Sequence, residues 1–196
     1  DEGDRMLEMG FEEEVDAIIA RTPSGRQTLL FSATYPQAIQ SIAKKVMRDP
    51  VMVQVESTHD RGSIRQYFYE VGDDDTSRLM ALRLLLLEHR PVSALVFCTT
   101  KLETRSVRDE LLHLGFSVLA LHGDLDQGDR DEALVCFSNK SVSVLVATDV
   151  AARGLDIDSV DLVVNYRLAR DAEIHVHRIG RTGRAGSKGM AFSFYG

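Results

Sequence analysis

The chain has 196 residues, 44% of them hydrophobic and 27% charged, which is the balance of a folded globular protein rather than a disordered one. No apolar run approaches the roughly 20 residues that a membrane-spanning helix needs, so the sequence predicts no membrane protein. The net charge of −7 argues against a surface coated in basic residues, so any nucleic acid should meet a restricted groove. Cys98 and Cys136 are too few for a disulfide framework and lack metal-site spacing. We interpret them as buried thiols and expect a reducing, cytoplasmic location.

The first part of the chain predicts two helices and two short strands. Residues 11–19 carry apolar side chains at helical spacing, and residues 27–31 and 51–55 are short apolar runs typical of strands. Pro36 suits the first position of the second helix. The apolar face of that helix comprises Ile39, Ile42, Ala43, Val46 and Met47. Three carboxylates stand within the first four residues with no strand or helix cap before them, so we expect an incomplete chain.

Residues 56–63 contain no large apolar residue and predict the boundary between two domains. We therefore expect a first domain over residues 1–56, a linker over 57–64 and a second domain over 65–196. A long surface loop within one domain remains an alternative interpretation of the same residues.

After this boundary, strands and helices alternate with short connections. Thr100 and Glu103 predict a capping box for a helix that buries Val107, Leu111 and Leu114 and ends at Gly115. The unbroken apolar runs predict a parallel sheet with helices on both faces, an α/β fold. The predicted strands cover residues 66–71, 94–98, 118–121, 144–147, 160–164 and 190–194, and the other predicted helices cover 76–88, 128–137 and 172–179.

Polar residues follow most of the predicted strands. In open α/β sheets, ligands bind beyond the carboxyl ends of the strands, where hydroxyl and N–H groups suit phosphodiester contacts. A single threonine after a strand is usually only a helix cap, but four such strand ends on one edge favour a binding site. The residues at these ends are Ser32, Thr34, Thr99, Thr100, His122, Gly123, Asp124, Thr148, Asp149, Arg153, Gly154 and Asp156.

A basic segment, residues 177–184, contains three arginines and a histidine in an acidic chain, and residues 177–188 contain no Asp or Glu. A local cationic patch of this kind indicates an anionic partner, and phosphate is the obvious one. If the segment is helical, His177, Arg181 and Arg184 share one face. The alternative interpretation is a solvated basic turn.

Asp1 and Glu2 follow the position of a strand that would precede the chain. Paired acids in such a position commonly hold Mg²⁺ through water and orient or deprotonate a nucleophilic water. Acid pairs more often face solvent, so this pair alone is uninformative. Combined with the distant arginines it indicates phosphoryl chemistry, with metal and base on one side and arginine fingers on the other.

Taken together, these motifs resemble those of DEAD-box RNA helicases over essentially the whole chain. Residues 1–4, Asp-Glu-Gly-Asp, resemble the D-E-A-D motif with glycine in place of alanine, and residues 32–34 match S-A-T. Residues 147–156 match A-T-D-V-A-A-R-G-L-D, and residues 177–184 match H-R-I-G-R-T-G-R. The stretch from His122 to Asp131 is most similar to the bacterial DbpA-like subgroup.

The resemblance implies two RecA-like domains that close over ATP and RNA. On this basis, residues 65–196 are the helicase C-terminal domain, a three-layer parallel sheet flanked by helices. Residues 1–56 are then the C-terminal remnant of the first, ATP-binding domain. The implied activity is the unwinding or remodelling of RNA duplexes coupled to ATP hydrolysis, with ribosome assembly as one setting, by a monomer.

The resemblance also assigns a role to each site residue. Catalysis falls to Glu2, Arg181 and Arg184. The nucleotide and its Mg²⁺ are bound by Asp1, Gly154, Asp156, Arg181 and Arg184, with Asp1 holding Mg²⁺ through water. Coupling of hydrolysis to strand separation falls to Asp4, Ser32, Thr34 and His177. The RNA backbone is bound by Thr99, His122, Gly123, Gln127, Arg130, Thr148 and Gly154.

The phosphate-cradling pattern G-x-x-x-x-G-K-[ST] is absent from the 196 residues. In the family that pattern precedes the D-E-A-D motif, so we expect a fragment that lacks most of the first domain and is inactive alone. Two other interpretations stay open: an RNA-binding module without hydrolysis, and a DNA helicase of the same superfamily.

Overall fold

The computed structural model describes residues 3–32, 35, 37–54, 64–152, 157, 159–183 and 188–196. Its chain divides into two compact units, which cover residues 1–56 and 57–196. The predicted linker at residues 57–64 lies almost entirely outside the described residues, which resume at Ile64.

In the first unit, the structure confirms both predicted helices. Ile39 and Ala43 are buried one turn apart, which is the predicted apolar face of the second helix. Three glutamates in the first turn of the other helix oppose the positive end of its dipole. A short helix at the start of the unit has no apolar periodicity and was not predicted. The helices are α1 (Gly3–Glu8), α2 (Glu12–Ala20) and α3 (Gln37–Val46).

The two strands predicted for the first unit are wrong. The described residues 26–32 and 51–54 belong to no strand, and most of their apolar side chains are exposed, Leu29 by 66% and Val51 by 86%. A strand is defined by the hydrogen bonds that it exchanges with a neighbour. No described segment of this unit pairs with either run, so the apolar sequence alone does not produce a strand.

In the second unit, six strands form one sheet in which every pair is parallel, as predicted. The order across the sheet is β1-β6-β5-β2-β4-β3, so the central strands have neighbours on both sides. The strands are β1 (Ile64–Glu70), β2 (Ala94–Cys98), β3 (Val118–Leu121), β4 (Val144–Thr148), β5 (Leu162–Asn165) and β6 (Gly189–Tyr195).

Helices cover both faces of this sheet and give the predicted three layers. Alternate residues of β2 point to opposite faces: Val96 packs with α4 and α5, whereas Leu95 and Phe97 pack with α6, α7 and α8. No helix among the described residues combines the length and the apolar character that crossing a membrane requires. The helices are α4 (Asp75–His89), α5 (Lys101–His113), α6 (Gln127–Ser138), α7 (Asp149–Ala152) and α8 (Ala172–Ile179).

The longer helices of the second unit begin at side-chain caps. The Thr100 hydroxyl accepts the Glu103 N–H at 3.1 Å, as predicted, and the Glu103 carboxylate accepts the Thr99 N–H rather than that of Thr100. The predicted burial of Leu114 is wrong, because this residue ends α5 and is exposed before Gly115 turns the chain at φ +85°. The caps of the other helices are Asp74, Asp126 and Asp171.

Candidate nucleic-acid and nucleotide site

Three neighbouring strands of the second unit bring predicted RNA-binding residues to one edge. Cys98 of β2 is in register with Thr148 of β4, and Leu121 of β3 is in register with Ala147. Because the strands are parallel, the residues that follow them meet at the carboxyl edge of the sheet. Thr148 therefore lies between the segment that starts at Thr99 and the segment that starts at His122.

Two residues on this edge are open to solvent and one is largely buried. Thr99 and Gly123 are exposed, and a Cβ added to Gly123 would meet nothing within 4 Å. The Thr148 hydroxyl accepts the Ala151 N–H at 3.3 Å and so caps the start of α7. Contacts with a ligand backbone are thus most accessible at Thr99 and Gly123.

The His122 ring is buried rather than presented to solvent, with 3% of its surface exposed. Its Nε2 accepts a hydrogen bond of 3.0 Å from Arg105 Nε, which makes the ring the neutral form with a proton on Nδ1. Burial lowers the pKa of His122, and the positive charge of Arg105 lowers it further. Its Nδ1 has no hydrogen-bond partner among the residues that the structure describes.

The Asp124 carboxylate, two residues further along, is shared by two cations. Lys101 Nζ lies 2.9 Å from Oδ1, and Arg105 Nη2 lies 3.1 Å from Oδ2. The hydrogen bond from Lys101 is the main cause of a pKa of Asp124 below its usual value. The β3–α6 loop is therefore tied to the first two turns of α5.

The two predicted RNA-binding residues of α6 have different surroundings. Gln127 is exposed, and its Nε2 donates to Asp131 at 2.7 Å. Arg130 is half-buried, and its Nη2 donates to the Ala151 carbonyl at 3.4 Å, which connects α6 to the end of α7. Arg130 therefore helps to hold the short helix that follows β4.

The first arginine of the basic segment, Arg178, is buried and forms an ion pair. Only 3% of its surface is exposed, and two of its nitrogens reach the two Asp149 oxygens at 2.6 and 2.8 Å. Nη1 also donates to Asn165 Oδ1 at 3.0 Å and to the Arg167 carbonyl at 2.8 Å. Such a two-point pair is geometrically specific, and it joins α8 to the ends of β4 and β5.

The sequence interpretation missed the roles of Arg178 and Asp149, although a signal was present. Arg178 lies one turn after Ile174 on the amphipathic helix α8, at a position facing the sheet. A buried arginine requires a carboxylate partner, and Asp149 directly follows a strand on the same edge. Counting Arg178 with the phosphate-binding cations therefore overstated the charge that the basic segment offers.

The second arginine of the segment, Arg181, lies in a turn rather than on a helix face. Helix α8 ends at Ile179, so Arg181 does not share a helix face with His177 as predicted, and Arg184 lies outside the described residues. Hydrogen bonds connect this turn to the residues before β5. The Val160 N–H donates to the Arg181 carbonyl at 2.9 Å, and Thr182 and Val160 pair as in a parallel β-ladder. Gly183 then adopts φ +67°, a conformation that favours glycine.

His177 and Arg181 line a cavity at the carboxyl edge of the sheet. Phe97, Asp149 and Arg178 line the same cavity. His177 is exposed, whereas Arg181 is half-buried. The ion pair between Arg178 and Asp149 thus forms part of the wall of the cavity that Arg181 also lines.

In the first unit, the structure brings two predicted coupling residues together. The backbone N–H of Asp4 donates to the Ser32 hydroxyl at 3.1 Å. This bond joins the start of α1 to the segment before α3. The other predicted site residues lie outside the described residues, namely Asp1, Glu2, Thr34, Gly154, Asp156 and Arg184. The predicted Mg²⁺ ligand is among these, and the described residues contain no group of three or more His, Cys, Asp or Glu side chains suited to a metal ion.

Two family models match the chain. The model described as the helicase conserved C-terminal domain matches residues 77–186, and the DEAD/DEAH box helicase model matches residues 1–42. The matches fall on the two compact units of the structure.

Relatives with similar sequences extend along nearly the entire chain. The chain is 54% identical over 194 residues to the ATP-dependent RNA helicase DbpA of Escherichia coli. The alignment covers 99% of this chain and 42% of that protein. The chain is 42% identical over 195 residues to the protein of the same name from Bacillus subtilis, covering 40% of it. The chain thus spans about two fifths of the length of these curated relatives.

Solved structures give a similar result. The chain superposes on Dbp5 of S. cerevisiae bound to RNA and ADP BeF3 with a TM-score of 0.82 and 32% identity, covering 99% of this chain and 51% of that one. A DEAD box protein from Methanococcus jannaschii gives a TM-score of 0.64 and 40% identity, with 98% and 52% covered.

Proposed function

The chain belongs to the DEAD-box helicase family, and from this membership we propose that it is part of an ATP-dependent RNA helicase. In this proposal residues 1–56 are the C-terminal part of a first RecA-like domain, residues 57–64 are a linker and residues 65–196 are the second RecA-like domain. The activity is the unwinding or remodelling of RNA duplexes, driven by ATP hydrolysis, in the cytoplasm and as a monomer.

We assign ATP hydrolysis to residues near both ends of the chain. Glu2 takes the proton of the attacking water, and Asp1 holds Mg²⁺ through water. Carboxylates are the ligands that Mg²⁺ prefers, and the ion, when bound, would neutralise charge on the phosphate oxygens. Arg181 and Arg184 stabilise the charge of the transferred phosphoryl group, and Asp156 binds the ribose. The position of Arg181 in the cavity wall suits this role, because the hydrogen bond from Val160 to the Arg181 carbonyl limits the movement of its main chain.

Arg178 has a positioning role in this proposal. Its charge is already matched by Asp149, so it does not act as a finger. Its four hydrogen bonds instead fix α8, and so fix His177 and the turn that follows. His177 is assigned to coupling together with Asp4, Ser32 and Thr34.

RNA binding is assigned to the carboxyl edge of the second domain. Thr99, Gly123 and Gln127 offer exposed polar groups, and Arg130, Thr148 and Gly154 complete the backbone path. His122 contributes through its backbone, since its ring is buried. Contacts of this kind position a phosphodiester chain without reading bases.

The observation that carries the proposal is the 54% identity to the Escherichia coli helicase over 99% of the chain, because it extends across both units. The test is a chimaera in which this chain replaces the corresponding segment of that helicase. We expect RNA-stimulated ATP hydrolysis and RNA duplex unwinding by the chimaera. The 196-residue chain alone serves as the control and should hydrolyse no measurable ATP, because it has no phosphate-cradling pattern.

A folded chimaera that neither hydrolyses ATP nor unwinds RNA would contradict the proposal. A chimaera that unwinds DNA duplexes in preference to RNA duplexes would contradict the assignment of the substrate.

A further inference from the structure

Two basic side chains beside the proposed RNA path have no role in the assignments above. Lys101 is the first residue of α5, directly after Thr99 and Thr100, and Arg105 lies one turn further along the same helix. Both reach Asp124 in the β3–α6 loop, next to Gly123. We call Lys101, Arg105 and Asp124 the α5 cluster.

The α5 cluster is accessible and carries a net positive charge. The side chain of Lys101 is 60% exposed, that of Arg105 is 44% exposed and that of Asp124 is 38% exposed. Two cations share one carboxylate, so the cluster has a formal charge of +1 on a chain whose net charge is −7. Exposed ion pairs of this kind are weak and exchange readily with other anions.

One of the two cations, Arg105, also forms a hydrogen bond on the side away from solvent. The Arg105 Nε donates to the buried His122 ring at 3.0 Å, while its Nη2 reaches Asp124. The lowered pKa of His122 keeps that ring neutral, so it accepts this hydrogen bond and adds no opposing charge. Arg105 is therefore oriented toward the loop before any ligand arrives, which reduces the entropy lost on binding.

We propose that Lys101 and Arg105 form an additional phosphate-binding site that extends the RNA path from Thr99 and Gly123 along α5, and that Asp124 restrains this site. The inference rests on the proposed function, because its ligand is the RNA backbone. A phosphate that reaches the cluster competes with Asp124 for the same two cations. Asp124 thereby weakens RNA binding, although it belongs to the loop that contacts RNA.

The opposing roles within the cluster give a test in which two substitutions change affinity in opposite directions. The 196-residue chain is titrated with a short fluorescein-labelled oligouridine at several salt concentrations. Asp124→Asn should tighten binding by about threefold to tenfold, because it removes one negative charge next to the phosphate. Lys101→Gln with Arg105→Gln should weaken binding and flatten the slope of log affinity against log salt by about 1.4, at roughly 0.7 for each phosphate that the protein no longer neutralises.

A matched control removes the same amount of charge elsewhere. Arg90 and Lys140 are exposed and precede β2 and β4, so they lie toward the amino edge of the sheet. Arg90→Gln with Lys140→Gln should leave the salt slope within error of the unsubstituted chain. Urea denaturation of each variant checks folding, and Lys101→Gln alone replaces the double variant if the latter is unstable.

The outcomes separate this inference from the proposed function. Suppose that the chain binds oligouridine. If Asp124→Asn then does not tighten binding, or if the Lys101 and Arg105 double variant behaves like the control, the α5 cluster is not a phosphate site. The proposed RNA path is unaffected by either result. If the unsubstituted chain binds no oligouridine even at low salt, the proposed RNA contact of this chain fails, and this inference fails with it.

Discussion

The two units of the molecule contain similar apolar runs with opposite outcomes. Residues 94–98 of the second unit form β2, which is fully buried between β4 and β5. Residues 51–53 of the first unit are also apolar and include two valines, yet residues 51–54 are exposed and belong to no strand. The difference shows that an apolar run specifies a strand only where neighbouring strands are present to pair with it.

The most severe way to disturb the second unit is to break its buried ion pair. Arg178→Ala leaves the Asp149 carboxylate, the Asn165 amide and the Arg167 carbonyl without their donor. Removing one partner of a buried pair typically costs about 3–5 kcal/mol, and we expect a loss in that range in urea denaturation followed by circular dichroism. The exposed Arg170 provides the control, and Arg170→Ala should change the free energy of unfolding by less than about 0.5 kcal/mol. An equal and small effect of both substitutions would mean that the pair does not hold α8.

A matched pair of leucine substitutions tests the comparison of the two units directly. Leu82 of α4 is fully buried, whereas Leu29 of the first unit is 66% exposed. We expect Leu82→Ala to destabilise the second unit by about 2–5 kcal/mol and Leu29→Ala to have little effect on stability. A large loss for Leu29→Ala would show that the first unit has a packed core around residues 28–31.

The parts of the fold that the sequence predicted are those that local patterns determine. In the second unit, helix α8 has the predicted bounds, and every strand was found within about two residues. The five strands from β2 to β6 are largely buried, whereas β1 is mostly exposed and is held by its pairing with β6. The false strands at residues 27–31 and 51–55 failed because pairing is not local. The burial of Leu114 failed because the helix ended at that residue.

The candidate site was predictable as an edge of the sheet but not as a set of contacts. Thr99, Gly123 and Thr148 follow from the rule for strand ends. The burial of Arg178 does not follow from charge counting, since it depends on Asp149, which is 29 residues away in sequence. The surroundings of His122 likewise include a distant residue, Arg105 of helix α5, which donates a hydrogen bond to the ring.

A smaller effect is expected from the cap of the helix that carries the basic segment. The Asp171 carboxylate accepts the Ile174 N–H at 2.8 Å, and its replacement by alanine should cost about 1 kcal/mol. The measurement is again the free energy of unfolding in urea. Asp171→Asn is the matched control and should retain most of the stability, because asparagine also caps helices. Equal losses for the two variants would contradict the capping role.

The smallest expected effect is a pH dependence of the free energy of unfolding of the second unit. Burial lowers the pKa of both His122 and His175, and the positive charges of Arg105 and Arg178 add to this. The unfolded chain therefore binds more protons than the folded one as the pH falls below about 6.5, so stability is full above that pH and declines below it. Residues 1–56 contain no histidine and lack this contribution.

The measurement is the urea midpoint of the second unit at about pH 7.5 and about pH 5.5. We expect a lower midpoint at the acidic pH and a smaller difference after His122→Gln with His175→Gln. A midpoint that rises on acidification would mean that these rings are charged in the folded state.

The assignment of Arg181 and Arg184 to the transferred phosphate is tested most directly by the kinetics of the chimaera with each arginine replaced by alanine. Arginine fingers act mainly in the transition state, so we expect kcat for RNA-stimulated ATP hydrolysis to fall by about 10³-fold or more while nucleotide affinity changes far less. Unchanged turnover in both variants, or losses of turnover and affinity of equal size, would contradict the assignment.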